Sequence, residues 1–248
     1  MRQLEKAAGC KQKPMWSADG RRVAFRYMPQ CDYRHDQVVL LDVASGRRFN
    51  LSRKLGVFGT SPSWAPDGRS LAFAGQRSKR GRPDPNDAPA GLYIASVDGS
   101  RYRRVTPTDV GEVQYPAWSP DGATIAFQVS RPPGFDIYSV AADGSDLTPL
   151  VHDQGLTEWP MWSPDGTQIA YGVEGATSGL WRMAADGSGK HEIRSGVGVP
   201  ANWAPGAWLI ANCRLHANQI GLCAIAPDGS AQLTLLAGIE AGFGAWKP

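Results

Sequence analysis

The pentapeptide Trp118-Ser-Pro-Asp-Gly122 occurs four more times, with small changes, along this chain of 248 residues. The copies are Trp16-Ser-Ala-Asp-Gly20, Trp64-Ala-Pro-Asp-Gly68, Trp162-Ser-Pro-Asp-Gly166 and the shortened Trp203-Ala-Pro-Gly206, and Trp246-Lys-Pro248 resembles the start of one more. Successive tryptophans are 48, 54, 44, 41 and 43 residues apart. A period of this length is typical of a four-stranded propeller blade.

The residues around each pentapeptide predict four short strands in every repeat. Pro-Asp-Gly favours a tight turn because proline presets φ and glycine accepts a positive φ. An alternating strand follows, seen as Val23-Ala-Phe25, Leu71-Ala-Phe73, Ile125-Ala-Phe127 and Ile169-Ala-Tyr171. A third strand, such as Leu92-Tyr-Ile94, ends at a second turn that contains Asp98-Gly99, Asp143-Gly144, Asp186-Gly187 or Asp228-Gly229. No long stretch has a helical period, so we predict an all-β protein with very little helix.

We predict a single β-propeller domain over residues 1–248, built from four-stranded antiparallel blades. Five full repeats give blades that start near Trp16, Trp64, Trp118, Trp162 and Trp203. A strand at residues 2–5 and the segment at Trp246 then provide part of a sixth blade. Two arrangements remain open: an incomplete six-bladed ring, which we favour, or five blades that close with the extra strand on an edge. An unpaired edge would favour self-association.

The repeated tryptophans have a structural explanation. One twisted four-stranded sheet cannot bury its faces alone, so blades must stack around an axis. Burying each large aromatic side chain stabilises the ring by roughly 1.5–3 kcal/mol. We therefore predict that Trp64, Trp118 and Trp162 lie between neighbouring blades instead of forming a ligand platform.

The repeat resembles that of the TolB propeller family. The resemblance is carried by the pentapeptide at Trp118, then Ile125-Ala-Phe127, Ile137-Tyr138 and Asp143-Gly144, and it extends over nearly the whole chain. It implies a propeller that binds a protein or peptide partner in the periplasm or outside the cell. Related propellers also gate serine peptidases or form oligogalacturonate-lyase-like enzymes. No segment of the 248 residues resembles the N-terminal α/β domain of TolB.

Composition argues against several classes of function. The net charge of +3 is small and the basic residues are dispersed, which gives no support for nucleic-acid binding. No apolar run approaches the ~18 residues that span a bilayer, so we predict no membrane insertion. The first ten residues contain no apolar segment of a signal peptide. Cys213 and Cys223 fall on neighbouring predicted strands, where either a disulfide or two buried thiols would fit.

Signatures of catalysis and of cofactor binding are missing from the sequence. It contains no GxSxG, HExxH, Walker or dinucleotide-binding pattern, so we predict neither catalytic residues nor a cofactor. His35, His152 and His216 fall on variable loops and raise the idea of a metal site, as in oligogalacturonate lyases. They belong to different blades, however, and we predict no metal ligands.

The blade topology sorts the loops into two rims. We name the edge that carries the Pro-Asp-Gly and Asp-Gly turns the turn rim. The opposite edge, which carries the connections between strands two and three and between blades, is the loop rim. Its loops vary in length, and function commonly lies on variable loops held by a rigid scaffold.

Eight residues are our candidates for partner binding at the loop rim and the channel mouth. The aromatic candidates stand three residues before a repeat tryptophan and are Tyr115, Trp159 and Phe243. The others lie in the two longest insertions, Met28 to Gln37 and Gly75 to Ala90, and are Arg34, His35, Arg77, Arg80 and Arg82. Aromatic side chains give a large contact area at low entropic cost. The alternatives are that the aromatics only pack between blades and that the insertions are ordinary solvated loops.

Overall fold

Twenty strands and one short helix make up the part of the chain that the structure describes. The structure, a computed structural model, describes residues 8–31, 35–77, 90–152, 155–174, 178–204, 208–214 and 220–237. The strands of these residues form five consecutive four-stranded units, which correspond to the five full repeats. The all-β prediction is confirmed. The predicted strand at residues 2–5 and the segment at Trp246 lie outside the described residues, so six-bladed closure stays a prediction.

The blades follow one another along the chain without crossovers. Blade 1 contains β1 (Cys10–Trp16), β2 (Arg22–Met28), β3 (Gln37–Asp42) and β4 (Arg48–Asn50). Blade 2 contains β5 (Val57–Trp64), β6 (Ser70–Arg77), β7 (Gly91–Ser96) and β8 (Tyr102–Arg104). Blade 3 contains β9 (Glu112–Trp118), β10 (Thr124–Arg131), β11 (Gly134–Ala141) and β12 (Thr148–Val151). Blade 4 contains β13 (Leu156–Trp162), β14 (Gln168–Glu174), β15 (Gly179–Ala184) and β16 (His191–Ser195), and blade 5 contains β17 (Val197–Trp203), β18 (Leu209–Arg214), β19 (Ile220–Ile225) and β20 (Gln232–Ala237).

Each repeat tryptophan ends the first strand of its blade, and the strands of a blade pair antiparallel in sequence order. Blades 3 and 4 are additionally joined into one eight-stranded sheet. The link is a short parallel pairing of Phe135 in β11 with Leu156 in β13.

A short helix between blades 1 and 2 was not expected from the sequence. α1 (Leu51–Leu55) begins after Asn50, whose side-chain oxygen accepts a hydrogen bond from the Arg53 N–H. It ends at Gly56, which has the left-handed φ of 67° that favours glycine at a helix C-terminus. Leu51 and Leu55 pack into the apolar layer between the two blades. The helix fills that layer at the point where one blade leads to the next.

The core is divided into layers between neighbouring blades. In the Ile-Ala-Phe strands the two large side chains and the alanine point to opposite faces of the sheet. Ile125 and Phe127 of blade 3 pack in the layer shared with blade 2, whereas Ala126 packs in the layer shared with blade 4. Trp162 of blade 4 packs against that second layer. The alanine thus leaves room for the tryptophan of the following blade.

Hydrogen bonds reinforce the contact between blades. The indole N–H of Trp64 donates to the Met15 carbonyl over 2.9 Å, and that of Trp162 donates to the Ala117 carbonyl over 3.1 Å. Trp203 donates in the same way to Met161 over 3.3 Å. Each acceptor directly precedes the tryptophan of the preceding blade. The predicted position of the tryptophans between blades is therefore confirmed, and their indoles also hold the inner strands together.

Serine and aspartate side chains build the turns of the turn rim. In blade 3 the Ser119 hydroxyl donates to the Asp121 carboxylate over 2.6 Å, and the same carboxylate accepts the Ala123 N–H. Hydrogen bonds of this kind stabilise the ionised carboxylate and lower its pKa. The aspartates with a lowered pKa are Asp19, Asp42, Asp98, Asp121, Asp143, Asp165, Asp186 and Asp228.

All four cysteines are in disulfides. Cys213 in β18 is bonded to Cys223 in β19, which decides between the two alternatives that the sequence left open. Cys10 at the start of β1 is bonded to Cys31, which follows β2, and this pairing was not predicted. It ties the first inner strand to the loop rim of its own blade.

Replacing Trp64 by phenylalanine should destabilise the protein more than replacing Trp118 by phenylalanine. Both changes replace an indole by a smaller phenyl ring at the same position of a blade. Only Trp64→Phe also removes an indole hydrogen bond, which leaves the Met15 carbonyl without its donor. The Trp118 Nε1 has no hydrogen-bond partner among the described residues. The difference should be about 1 kcal/mol in the free energy of unfolding, measured by urea titration. Equal losses would contradict the role given to the indole N–H.

The turn aspartates predict a loss of stability in acid. Hydrogen bonds from the Ser96 hydroxyl and the Ser100 N–H and hydroxyl lower the pKa of Asp98 from 3.8 to about 2. Because the folded pKa is the lower one, the stabilisation is complete above about pH 4 and is lost as the pH falls towards 2. Urea titrations between pH 5 and 2 should show a weaker pH dependence for Asp98→Asn. The wild type, titrated in parallel, is the reference, and an unchanged slope in Asp98→Asn would contradict the lowered pKa.

Candidate functional site

The inner strand of each blade is interrupted by a β-bulge just before its tryptophan. The register shifts at Gln12–Met15 in β1, Thr60–Ser63 in β5 and Glu158–Met161 in β13. The bulged residue has a positive φ in four blades, of 52° at Lys13, 52° at Ser61, 47° at Tyr115 and 61° at Trp159. A proline follows each of these residues and fits there because a bulge leaves a ladder position without a hydrogen bond.

The bulge conformation is costly, and the structure supports it at Trp159. A residue other than glycine at positive φ costs roughly 1–3 kcal/mol and is commonly found at functional sites. The Trp159 N–H donates to the side-chain oxygen of Gln128 over 3.3 Å, and Gln128 is buried. The neighbouring strand β10 of blade 3 thus helps to hold the bulge of blade 4.

Three bulged residues from different blades meet at the centre of the molecule. The rings of Tyr115 and Trp159 are stacked, with centroids 4.3 Å apart and planes inclined by 20°. The Nζ of Lys13 lies 3.4 Å from the Tyr115 centroid and 3.6 Å from the Trp159 centroid. The Lys13 side chain of blade 1 therefore reaches residues of blades 3 and 4. We call Lys13, Tyr115 and Trp159 the central triad.

The electrostatic environment of Lys13 is unusual for a lysine. Burial, followed by the positive charge of Arg26, lowers the pKa of Lys13 to about 6, while Glu158 acts in the opposite direction. Burial also raises the pKa of Glu158, and the nearby Glu174 adds to that effect. The aromatic rings favour the ammonium form through cation–π attraction. Burial outweighs these attractions and holds the pKa of Lys13 far below that of an ordinary lysine.

A cavity of about 310 Å³ lies beside the central triad. Its walls are mainly aromatic rings and prolines. Trp118, Trp162 and Trp203 join Tyr115 and Trp159 there, so these repeat tryptophans, for which the sequence predicts a packing role alone, also line the cavity. Lys13 is the one charged residue among the described residues that line it. This size and this mixture of apolar walls with few polar groups are typical of ligand pockets in proteins.

The structure brings together only part of the predicted site. Tyr115 and Trp159 meet, but they lie in the middle of the inner strands, and their cavity extends to Pro120 and Pro164 of the turn rim. The sequence predicts them at the channel mouth on the loop rim. Lys13 was missed, although counting three residues back from Trp16 identifies it as readily as Tyr115 was identified from Trp118.

The other candidates fall at or near the loop rim. The ring of His35 packs edge-on against Phe58, with centroids 6.3 Å apart. Arg77 is exposed at the end of β6. The remaining four candidates, Arg34, Arg80, Arg82 and Phe243, lie outside the described residues.

The described histidines give no arrangement of metal ligands. His152 contacts the buried carboxylate of Asp136 over 2.7 Å, far along the chain from His35. His216 lies outside the described residues. Within the ranges that the structure describes, no three His, Cys, Asp or Glu side chains are grouped to hold a metal ion. Nor does that part of the chain contain a helix long and apolar enough to cross a membrane.

A family profile described as the TolB beta propeller domain matches residues 2–248. The chain belongs to this family. Among solved structures, this TolB-type propeller is similar to TolB from Acinetobacter baumannii, with a TM-score of 0.74 and 19% identity over 99% of this chain and 59% of that one. An oligogalacturonate lyase in complex with manganese has a TM-score of 0.64 at 15% identity, covering 91% of this chain and 64% of the other. At these identities the likeness is one of fold.

Two curated relatives of this TolB-type propeller are named as peptidases. The uncharacterized peptidase YuxL of Bacillus subtilis is 33% identical over 63% of this chain and 22% of its own length. Dipeptidyl-peptidase 5 of Porphyromonas gingivalis is 29% identical over 56% of this chain and 20% of its own length. The similarity thus spans about a fifth of each relative.

Replacing Lys13 by methionine should stabilise the propeller at neutral pH and remove a pH dependence. Between the lowered pKa of about 6 in the folded protein and the ordinary lysine value of 10.5, the amine is protonated mainly in the unfolded chain, so the stability of the wild type rises with pH. The gain in stability from Lys13→Met should be larger at pH 7 than at pH 9, by on the order of 2 kcal/mol, because the wild type gains about 1.4 kcal/mol per pH unit in this range. Urea titrations at these pH values, read by tryptophan fluorescence, would measure both effects. A constant difference between the two proteins would contradict the lowered pKa.

Proposed function

We propose that this protein is a non-enzymatic propeller that binds a protein or peptide partner at the centre of the ring. The observation that supports this function is the apolar cavity bounded by the stacked rings of Tyr115 and Trp159. Aromatic side chains in a preformed pocket are the usual anchors of protein recognition. Membership of the TolB family agrees with a binding scaffold.

The loop rim supplies the second part of the proposed interface. We propose that Arg34, His35, Arg77, Arg80, Arg82 and Phe243 contact the partner around the channel mouth, as predicted from the sequence. The basic residues among them favour a partner with acidic groups on that side. Self-association through an incomplete sixth blade also remains a prediction, which sedimentation at several concentrations would test.

We further propose that the protein works in the periplasm or outside the cell. Two disulfides and no free cysteine are typical of oxidising compartments. This localisation agrees with the one implied by the family resemblance.

The second candidate function is that of a gating propeller in a peptidase. Two relatives that are named as peptidases favour this function, and the match to this chain covers about a fifth of the length of each. The likeness to an oligogalacturonate lyase concerns the fold, and no further observation on the described residues favours lyase activity. An absorbance assay for unsaturated products from acidic oligosaccharides would test that third candidate directly.

Capture of a partner should depend on the central rings. We expect Tyr115→Ala, Trp159→Ala and Arg80→Ala each to lower the amount of partner recovered by immobilised protein from a periplasmic extract. Tyr102→Ala, which removes an exposed ring at the outer edge of blade 2, is the matched control. Thermal unfolding of each variant would show that the blades remain folded. Unchanged capture by both Tyr115→Ala and Trp159→Ala would overturn the proposed site.

A further inference from the structure

The cavity beside the central triad reaches the surface at the turn rim. Its lining includes Ser163 and Pro164 of the blade 4 turn and Pro120 of the blade 3 turn, and Pro120 is exposed. These turns are part of the repeat itself and differ little between blades. A partner that approaches from this side would meet the cavity without crossing the central triad.

The turns around this opening pack against one another. A Cβ placed on Gly122 would lie 3.6 Å from Pro66 of the preceding blade, and one on Gly166 would lie 3.7 Å from Pro120. A glycine at positive φ thus faces a proline of the preceding blade at two junctions, between blades 2 and 3 and between blades 3 and 4. A rigid opening of this kind loses little conformational entropy when a ligand enters.

The charge around the opening is uneven. The turns of blades 3 and 4 contain Asp121 and Asp165, and neither turn segment, 119–124 or 163–168, contains a basic residue. Hydrogen bonds from Ser119 and Ser163 lower the pKa of the two carboxylates, which keeps them ionised well below neutral pH. The corresponding turns of blades 1 and 2, in contrast, are followed directly by arginines, namely Arg21, Arg22 and Arg69.

We propose that the cavity is entered from the turn rim by a basic peptide segment, which places one bulky apolar side chain between the indoles while its lysine or arginine neighbours pair with Asp121 and Asp165. This inference rests on the proposed binding function and adds the face of the ring and the chemistry of the partner. The apolar walls provide affinity, and the two carboxylates select the charge of the flanking residues.

Three short peptides test the apolar anchor and the charge separately. Acetyl-Lys-Phe-Lys-amide should bind, whereas acetyl-Glu-Phe-Glu-amide and acetyl-Lys-Ala-Lys-amide should bind at least roughly tenfold more weakly, because each lacks one of the two interactions. Calorimetry, with quenching of the protein tryptophans as a second readout, would give the dissociation constants. The preference for lysine should shrink as the salt concentration rises. Equal or tighter binding of the glutamate peptide would overturn the proposal.

Paired asparagine variants locate the charge effect on the rim. Asp121→Asn with Asp165→Asn keeps side chains that accept the turn hydrogen bonds and should weaken the Lys-Phe-Lys peptide by roughly fivefold, as expected for two exposed ion pairs. Asp143→Asn with Asp186→Asn makes the same change in the outer turns of the same two blades and should leave binding unchanged. Equal losses in both pairs would show a nonspecific effect of net charge and would overturn the inference.

A blocking variant separates this inference from the proposed function. Ala117 lines the cavity, so Ala117→Leu should reduce binding of the Lys-Phe-Lys peptide, with thermal unfolding as the check on folding. If partner capture depends on Tyr115 and Trp159 but no peptide binds, the basic segment is wrong and the proposed function stands. If capture is also insensitive to these rings, the proposed function fails with it.

Discussion

The structure depends on the contact between the tryptophan of one blade and the small residue of the preceding blade. A four-stranded sheet has two apolar faces, and each must be covered by a neighbour. The Ile-Ala-Phe strand meets this requirement by presenting large side chains to one neighbour and alanine to the other, as Phe127 and Ala126 do. The indole N–H then bonds the inner strand of the preceding blade, as from Trp162 to Ala117.

The same repeat produces the candidate site. In blades 1 to 4 the bulged residue before the tryptophan has a positive φ and is not part of the apolar layers between the blades, so its side chain can differ from blade to blade. It is lysine, serine, tyrosine and tryptophan in blades 1 to 4. Three of these side chains converge as the central triad, and the prolines that follow them line the cavity. A scaffold feature that recurs in every blade has thereby become a place where the blades can differ.

The two rims divide the remaining chemistry. On the turn rim, the serine and aspartate hydrogen bonds serve the turns first, since they satisfy backbone N–H groups that the strands leave unpaired. Asp121 and Asp165 directly follow Pro120 and Pro164, two of the prolines that line the cavity. The inner turns of these two blades contain no basic residue, whereas arginines follow the inner turns of blades 1 and 2. On the loop rim, the Cys10–Cys31 disulfide anchors the first blade.

The sequence by itself determined the fold class, the five four-stranded repeats, their turns and the position of the tryptophans between blades, because these follow from local periodicity and turn chemistry. It also identified Tyr115 and Trp159, which stand at a fixed distance from a repeat tryptophan. Only the tertiary structure decided three further features. They are the place of Lys13 against both rings, the choice of Cys31 as partner of Cys10, and the extension of the cavity towards the turn rim. Each of these features brings together residues that are remote in the chain or on different strands. Such contacts depend on the arrangement of the blades around the axis, and no local sequence pattern encodes that arrangement.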